Sequence, residues 1–543
     1  SMRRTNKTLR TISFILLQAF LAQQVSWADI TPTRQNLFQK PQVGLKIPDS
    51  VATIEDVYLA DSVKRTENPL TLTAERLPLI YLLQDAHTNE SGQYNLSKAL
   101  DLILQKEKDL KYVFTEAGVG DNSLAYLKPF RPDNERKQIA RTYIKKGILH
   151  GAEYLSLTSD RPFTLWGVEN PDLYLKSIQD YRQVAKERER FDLYLKKIDR
   201  TIETLKNRLA NPSLQTFSKE RKEYRLNRLP LTSYFNALSR EAEIHNIPLS
   251  GYPHLNTLKA LKDKESNIDF KKANTEHQEA LKSLPQEVQT DLKDLADTKK
   301  TDKVLSDNQK NERAYFALLE EKLGARSSEL GASNYPELSK YFDYLELSKD
   351  LEAKEVLSQM KALEDRIIEN LARTQDEKTL MRSESVLRHL EKLFHFTLTP
   401  EEFKDYKDLT GDSFNIEYLT GFLNKKIMDL GTYYEQALFL EKGYQEVIRH
   451  AENFYALTIE RDNFFVESML KKMDEDSGVQ HTGDSVQRTA YSGQKSAVLI
   501  TGGFHTANLK QLLKSKGISF VSITPQILQE TNMAKYESLL IGS

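Results

Sequence analysis

The chain has no cysteine among its 543 residues. That absence excludes disulfides, thiol nucleophiles, Cys-ligated zinc and lipidation of an N-terminal cysteine. A surplus of one charge is missing too: 77 Lys+Arg stand against 78 Asp+Glu, a formal net charge of -1. Nucleic-acid binders usually carry a basic surplus or stripe, so no nucleic-acid partner is expected. No apolar run reaches the ~20 residues that a membrane-spanning helix needs. Several signature motifs are also lacking. There is no H-E-x-x-H, no G-x-S-x-G elbow and no P-loop, and Gly118-Val119-Gly120 lacks the rest of a dinucleotide fingerprint.

What is present is a charged, moderately apolar chain. Hydrophobic residues make up 39% and charged residues 29%, a mix that suits a compact core joined to long solvated helices. The length calls for two or more structural units. The N-terminus reads as an export signal. Arg3, Arg4, Lys7 and Arg10 precede an apolar run from Ile12 to Ala22, and Ser26-Trp27-Ala28 puts small residues where a signal peptidase reads them. Residues 1–28 are therefore expected to be a signal peptide, and the protein periplasmic or secreted with no membrane span after cleavage. Cleavage removes four basic and no acidic residues, taking the charge from -1 to -5.

Residues 29–76 carry few periodic signals and three prolines, Pro32, Pro41 and Pro48, and read as an N-terminal arm. From 77 to 175 the pattern is β-α-β-α-β. Leu79–Leu83, Tyr112–Thr115 and Phe163–Trp166 are short apolar runs, separated by helical stretches such as that of Leu96, Leu100, Ile103 and Leu104. Such alternation marks a parallel sheet with crossover helices. Residues 176–450 read as a helical insertion. Ile178, Tyr181, Val184, Phe191, Leu195, Ile198 and Ile202 follow helical spacing, and Pro230, Pro248, Pro253, Pro285, Pro336 and Pro400 mark helix boundaries. Residues 476–494 are polar and rich in Gly and Ser. In the last part, 451–543, strand patterns return at Ala497–Ile500 and Phe520–Ile523. The expected fold is α/β, with a parallel or mostly parallel sheet interrupted by a large all-α insertion.

In open parallel sheets ligands bind beyond the carboxyl ends of the strands. Four polar side chains fall at such ends: His87, Glu116, Glu169 and His505. Two imidazoles and a carboxylate on one rim suit a divalent metal held by His87, Glu116 and His505. They equally suit a His that acts as general base on water while the acid orients it. Asp85 either orients His87, binds the site directly, or is an ordinary turn residue. Arg461, in Glu460-Arg461-Asp462-Asn463, either clamps a substrate anion, holds Glu116 or Glu169 in place, or belongs to a solvated charge cluster on a helix.

These residues, in this order, resemble the superfamily of erythromycin esterase-like, TIKI/TraB and ChaN-like haem-binding proteins. Gln84-Asp85-Ala86-His87 stands for its first-strand G-x-x-H, with Gln84 in place of the glycine. Glu116 in Phe-Thr-Glu-Ala-Gly stands for the second-strand Glu. Arg461-Asp462 resembles the late Arg-Asp pair, and Gly502-Gly503-Phe504-His505 matches the final G-x-x-H. The likeness covers roughly residues 77–175 and 450–525 and does not explain the region between. It implies an exported envelope hydrolase, esterase- or peptidase-like, acting on a small-molecule or peptide substrate. Its site residues are then His87, Glu116, Arg461, His505 and Glu169, with Arg461 and Glu169 positioning the substrate or the developing oxyanion. The ChaN-like branch implies haem or metal binding instead, with Tyr94 or Tyr154 as axial ligand. A third reading is a non-catalytic scaffold with a vestigial site, whose helical insertion docks a protein partner.

Overall fold

A computed structural model describes residues 45–60, 78–116, 118–297, 305–324, 335–348, 351, 353–411, 414–431, 437–440, 443–475 and 496–528. The expected signal peptide and the polar stretch 476–494 lie outside the described residues, as does most of the arm. No described helix is long and apolar enough to cross a membrane.

The described residues form a seven-stranded mixed sheet. In chain order the strands are β1 (Ala52–Tyr58), β2 (Leu79–Gln84), β3 (Tyr112–Thr115), β4 (Val119–Asp121), β5 (Thr164–Val168), β6 (Ser496–Thr501) and β7 (Ser519–Pro525). Their spatial order is β1-β7-β2-β6-β3-β5-β4. The inner five are parallel, whereas β1 and β4 pair antiparallel at the two edges. The sequence had shown all five parallel strands and neither edge strand. β1 lies in the stretch read as an arm. Glu55 and Asp56 break its apolar pattern, and its pairing is irregular between Ile54 and Asp56. β4 has only three residues, too few for any periodicity to register.

Continuous apolar runs become strands here because both faces of the sheet are covered. Alternate residues of β2 go to opposite layers. Tyr81 and Leu83 meet Leu96, Leu100 and Ile103 of α1 (Glu90–Lys106). Ile80 and Leu82 pack with Phe465, Val466 and Met469 of the long helix Tyr444–Glu475 and with Leu509 and Leu513 of the last helix, Gly503–Ser515. Each such Leu or Ile contributes about 1.5–3 kcal/mol on burial.

The chain divides into two compact units, one holding the described residues of Leu209–Lys378 and the other those of Lys40–Arg208 and Thr379–Ser543. The first is built from helices around Phe270, Ala273, Leu319, Leu338 and Tyr341. The prolines sit at helix starts: Pro253, Pro336 and Pro400 open their helices and Pro230 caps one, since proline there loses no intrahelical bond. In the second unit, helices Pro171–Leu209 and Gln375–Phe394 run antiparallel. Lys206 pairs with Glu384 at 3.2 Å, Arg388 with Asp199 at 3.3 Å and His395 with Asp192 at 3.0 Å.

Candidate functional site

The strand order decides the site. Because β6 lies between β2 and β3, the carboxyl ends of β2, β6, β3 and β5 bring His87, Gly502 to His505, Glu116 and Glu169 into one row. Helix Tyr444–Glu475 crosses one face of this row. Phe465, Met469 and Met473 form its buried stripe at spacings of four, and Arg461 continues that stripe toward the strand ends.

Two connected groups result. In the first, Asp85 Oδ2 lies 2.8 Å from His87 Nδ1. Burial favours a protonated Asp85, but His150 and His87 outweigh it and hold the carboxyl well below its ordinary range. Burial works against charge on His87, yet Asp85 and Glu116 raise its pKa above the ordinary 6.5. The His87 backbone is left-handed, with φ 46°, a conformation that costs a non-glycine residue about 1–3 kcal/mol. Buried Gln93 holds it: Nε2 donates to the His87 carbonyl at 2.6 Å and to Asp85 Oδ1 at 2.7 Å, while Oε1 accepts from Gly151 N at 2.6 Å.

The second group is a buried ion network. Arg461 donates from Nε and Nη2 to the two oxygens of Glu169 at 3.0 and 2.7 Å, and from Nη2 to Glu116 Oε1 at 3.0 Å. His505 Nε2 faces Glu116 Oε1 at 3.2 Å and its Nδ1 faces Asp462 Oδ1 at 2.5 Å. Burial opposes the His505 charge, but Glu116 and Asp462 lift its pKa to about 10. Burial likewise opposes the Glu116 charge, and His505, Arg461 and the Gly502 N–H, which donates to Oε2 at 2.8 Å, keep it far below the usual carboxylate range. Asp462 is raised by burial despite His505, and accepts from Asn508 at 2.7 Å. A cation in the first turn of a helix is disfavoured by the helix dipole, so imidazolium at His505 needs both carboxylates.

The two groups meet at Gly502. A Cβ there would lie 2.8 Å from both Cε1 and Nε2 of His87, and 3.6 Å from Glu116 Oε2. Only glycine lets the imidazole sit on this turn.

The structure thus brings His87, Glu116, Glu169, Arg461 and His505 to one edge of the sheet. Their bonding differs from one sequence reading. Both His505 nitrogens face carboxylates and a guanidinium occupies Glu116, so the three do not form an open ligand set. Among the described residues no group of three or more His, Asp or Glu is arranged to hold a metal ion. Arg461, 4% exposed, donates to Glu169 and Glu116, the second of the three arrangements read from the sequence. The side chains of Tyr94 and Tyr154 pack edge to face at 5.8 Å. Burial and Glu90 raise the Tyr94 pKa.

The sequence offers no site reading for Gln93 or His150, and names Asp462 only as the neighbour of Arg461 in the late Arg-Asp pair. Gln93 lies three residues before Leu96 on the apolar stripe of α1, and a polar residue on a buried stripe was its signal. Asp462 precedes buried Val466 by four in the same way. His150 Nδ1, 3.7 Å from Asp85 Oδ2, had no signal. Comparison of the chain with protein-family models, curated proteins and solved structures finds no match.

Proposed function

We propose that the chain is an acyl hydrolase, cleaving an ester or a peptide, with His87 as general base. The observation that carries this reading is the Asp85–His87 pair at 2.8 Å, on a ring that is 30% exposed while Asp85, Glu169, Arg461 and His505 are buried. His87 takes the proton of a water attacking the acyl carbon, then returns it to the departing alcohol or amine. Asp85 stabilises the intervening imidazolium. Positioned base catalysis of this kind is worth about 10²–10⁴-fold. Arg461 and His505 hold Glu116 in place, and Glu116 adds negative potential beside His87. The resemblance of Gln84–His87, Glu116, Arg461-Asp462 and Gly502–His505 to the erythromycin esterase-like superfamily supports the same chemistry.

The test is hydrolysis of p-nitrophenyl esters and of a peptide mixture by the purified chain and by His87→Gln. A fall of about 10²–10⁴-fold with unchanged melting is expected. If the variant turns over as fast as the parent, or if neither substrate class is cleaved, the reading is wrong. Because the donors are already engaged with one another, a chelator is expected to leave this activity unchanged.

A further inference from the structure

Exposed large hydrophobic residues concentrate in one stretch of the α/β unit. Between β4 and the helix Gly151–Thr158, Tyr126, Phe130, Ile139, Tyr143 and Ile148 are all open to solvent, with Phe130 75% and Tyr126 67% exposed. Single exposed apolar residues are ordinary, whereas a group of this kind marks a surface that something covers. Tyr126 and Phe130 lie on a 3-10 turn, Ala125–Phe130. The turn is tied to the helix Asp133–Lys145, whose Arg136 donates to the carbonyls of Lys128 and Arg131 at 3.0 and 2.7 Å. That helix is apolar on two sides: Ala140 and Ile144 are buried, and Ile139 and Tyr143 face outward.

The same stretch is strongly cationic in a chain that is almost neutral. Residues 125–148 hold seven basic and two acidic side chains, a surplus of five against -1 for the whole chain. Asp133 and Glu135 are paired with Arg136, Lys137 and Arg131. Arg141, Lys145 and Lys146 stand exposed at the far end of the helix, with Lys146 Nζ over the Tyr143 ring at 5.6 Å.

We propose that residues 125–148 form a docking surface for an anionic lipid bilayer. Aromatic and aliphatic side chains enter the boundary between headgroups and acyl chains, and the lysines and arginines meet lipid phosphates. Two features favour this occupant. Lysine is depleted in protein–protein interfaces, yet four of the seven cations are lysine. Nucleic acid offers stacking partners for Tyr126 and Phe130 but no apolar medium for Ile139 and Ile148. This surface is independent of the hydrolytic reading. It ends two residues before His150, the residue that reaches Asp85.

The test is co-sedimentation of the full chain with vesicles of phosphatidylcholine alone and of phosphatidylcholine with phosphatidylglycerol. Binding is expected only to the anionic vesicles and is expected to weaken with salt. Each cation removed weakens it about fivefold, so Lys145→Ala with Lys146→Ala binds roughly 25-fold more weakly. Tyr126→Ala with Phe130→Ala abolishes the binding that survives high salt. These positions are exposed, and unchanged circular dichroism certifies each variant's fold. The proposal is overturned by absence of binding, by equal binding to both vesicle types, or by variants that bind as the parent does. It is also overturned if heparin in solution binds as tightly and Tyr126→Ala with Phe130→Ala leaves that binding intact, since the partner is then a soluble polyanion.

Discussion

His87 is held in a left-handed conformation without being glycine, and two neighbours make that tolerable. Gln93 ties down its carbonyl and its Asp85 partner. Gly502 leaves room for its ring. Gly502→Ala therefore pushes the imidazole off the turn, and a loss of His87-dependent hydrolysis of about 10²-fold or more is expected at nearly unchanged expression and fold. Gln93→Leu leaves Asp85 with one donor fewer and releases the His87 carbonyl. Its expected signature is a shifted His87 titration by NMR, which a purely packing role would not produce. The base must be deprotonated to act, and its pKa lies above 6.5, so kcat/KM is expected to rise with pH through a value above 6.5. A profile that is flat there, or falls, contradicts the assignment. His505 carries a stability prediction. Its pKa moves from 6.5 unfolded to about 10 folded. Its contribution is therefore complete below pH 6.5 and is lost as pH rises through about 10. Thermal melts should show Tm falling across that window, and His505→Gln should flatten the slope.

At the scale of elements, the helix Tyr444–Glu475 does two jobs with one stripe. Phe465, Val466 and Met469 cover the sheet, and Arg461 and Asp462, one turn earlier, reach its carboxyl edge. Arg461→Met leaves Glu169 and Glu116 buried without their cation, at a cost of about 3–5 kcal/mol. A denaturant midpoint unchanged by that substitution would show the ion network to be incidental. The five parallel strands were readable because a strand buried on both faces must be apolar throughout, as Leu79–Leu83 and Ala497–Ile500 are. β1 and β4 escaped because edge strands need no such run. Gly167 shows why β4 forms at all: a Cβ there would lie 1.9 Å from the Gly118 carbonyl carbon.

At the scale of the whole molecule, the chain leaves the sheet-bearing unit at the end of the helix Pro171–Leu209 and re-enters it in the helix Gln375–Phe394, and these two helices are paired through Lys206–Glu384 and Arg388–Asp199. Near their junction, Asn211 N donates to Glu377 Oε1 at 2.7 Å. Replacing residues 212–376 by a short Gly/Ser link therefore closes a small gap. The shortened chain is expected to fold, with the His505 titration near 10 and His87-dependent hydrolysis retained. Failure of cooperative unfolding in that chain would mean that the helical unit is needed for the sheet unit to fold.

The amino-acid sequence by itself determined the strand-end residues His87, Glu116, Glu169 and His505, because a buried parallel strand announces where it stops. It also determined the interrupted α/β plan, because strand and helix periodicities differ. Only the tertiary structure decided what these residues do to one another. The insertion of β6 between β2 and β3 is a long-range event that no local pattern encodes. It places Gly502 under His87 and gives Glu116 both Arg461 and His505 as partners. The strand-end residues thereby form an Asp85–His87 pair beside an ion network of Glu116, Glu169, Arg461, Asp462 and His505.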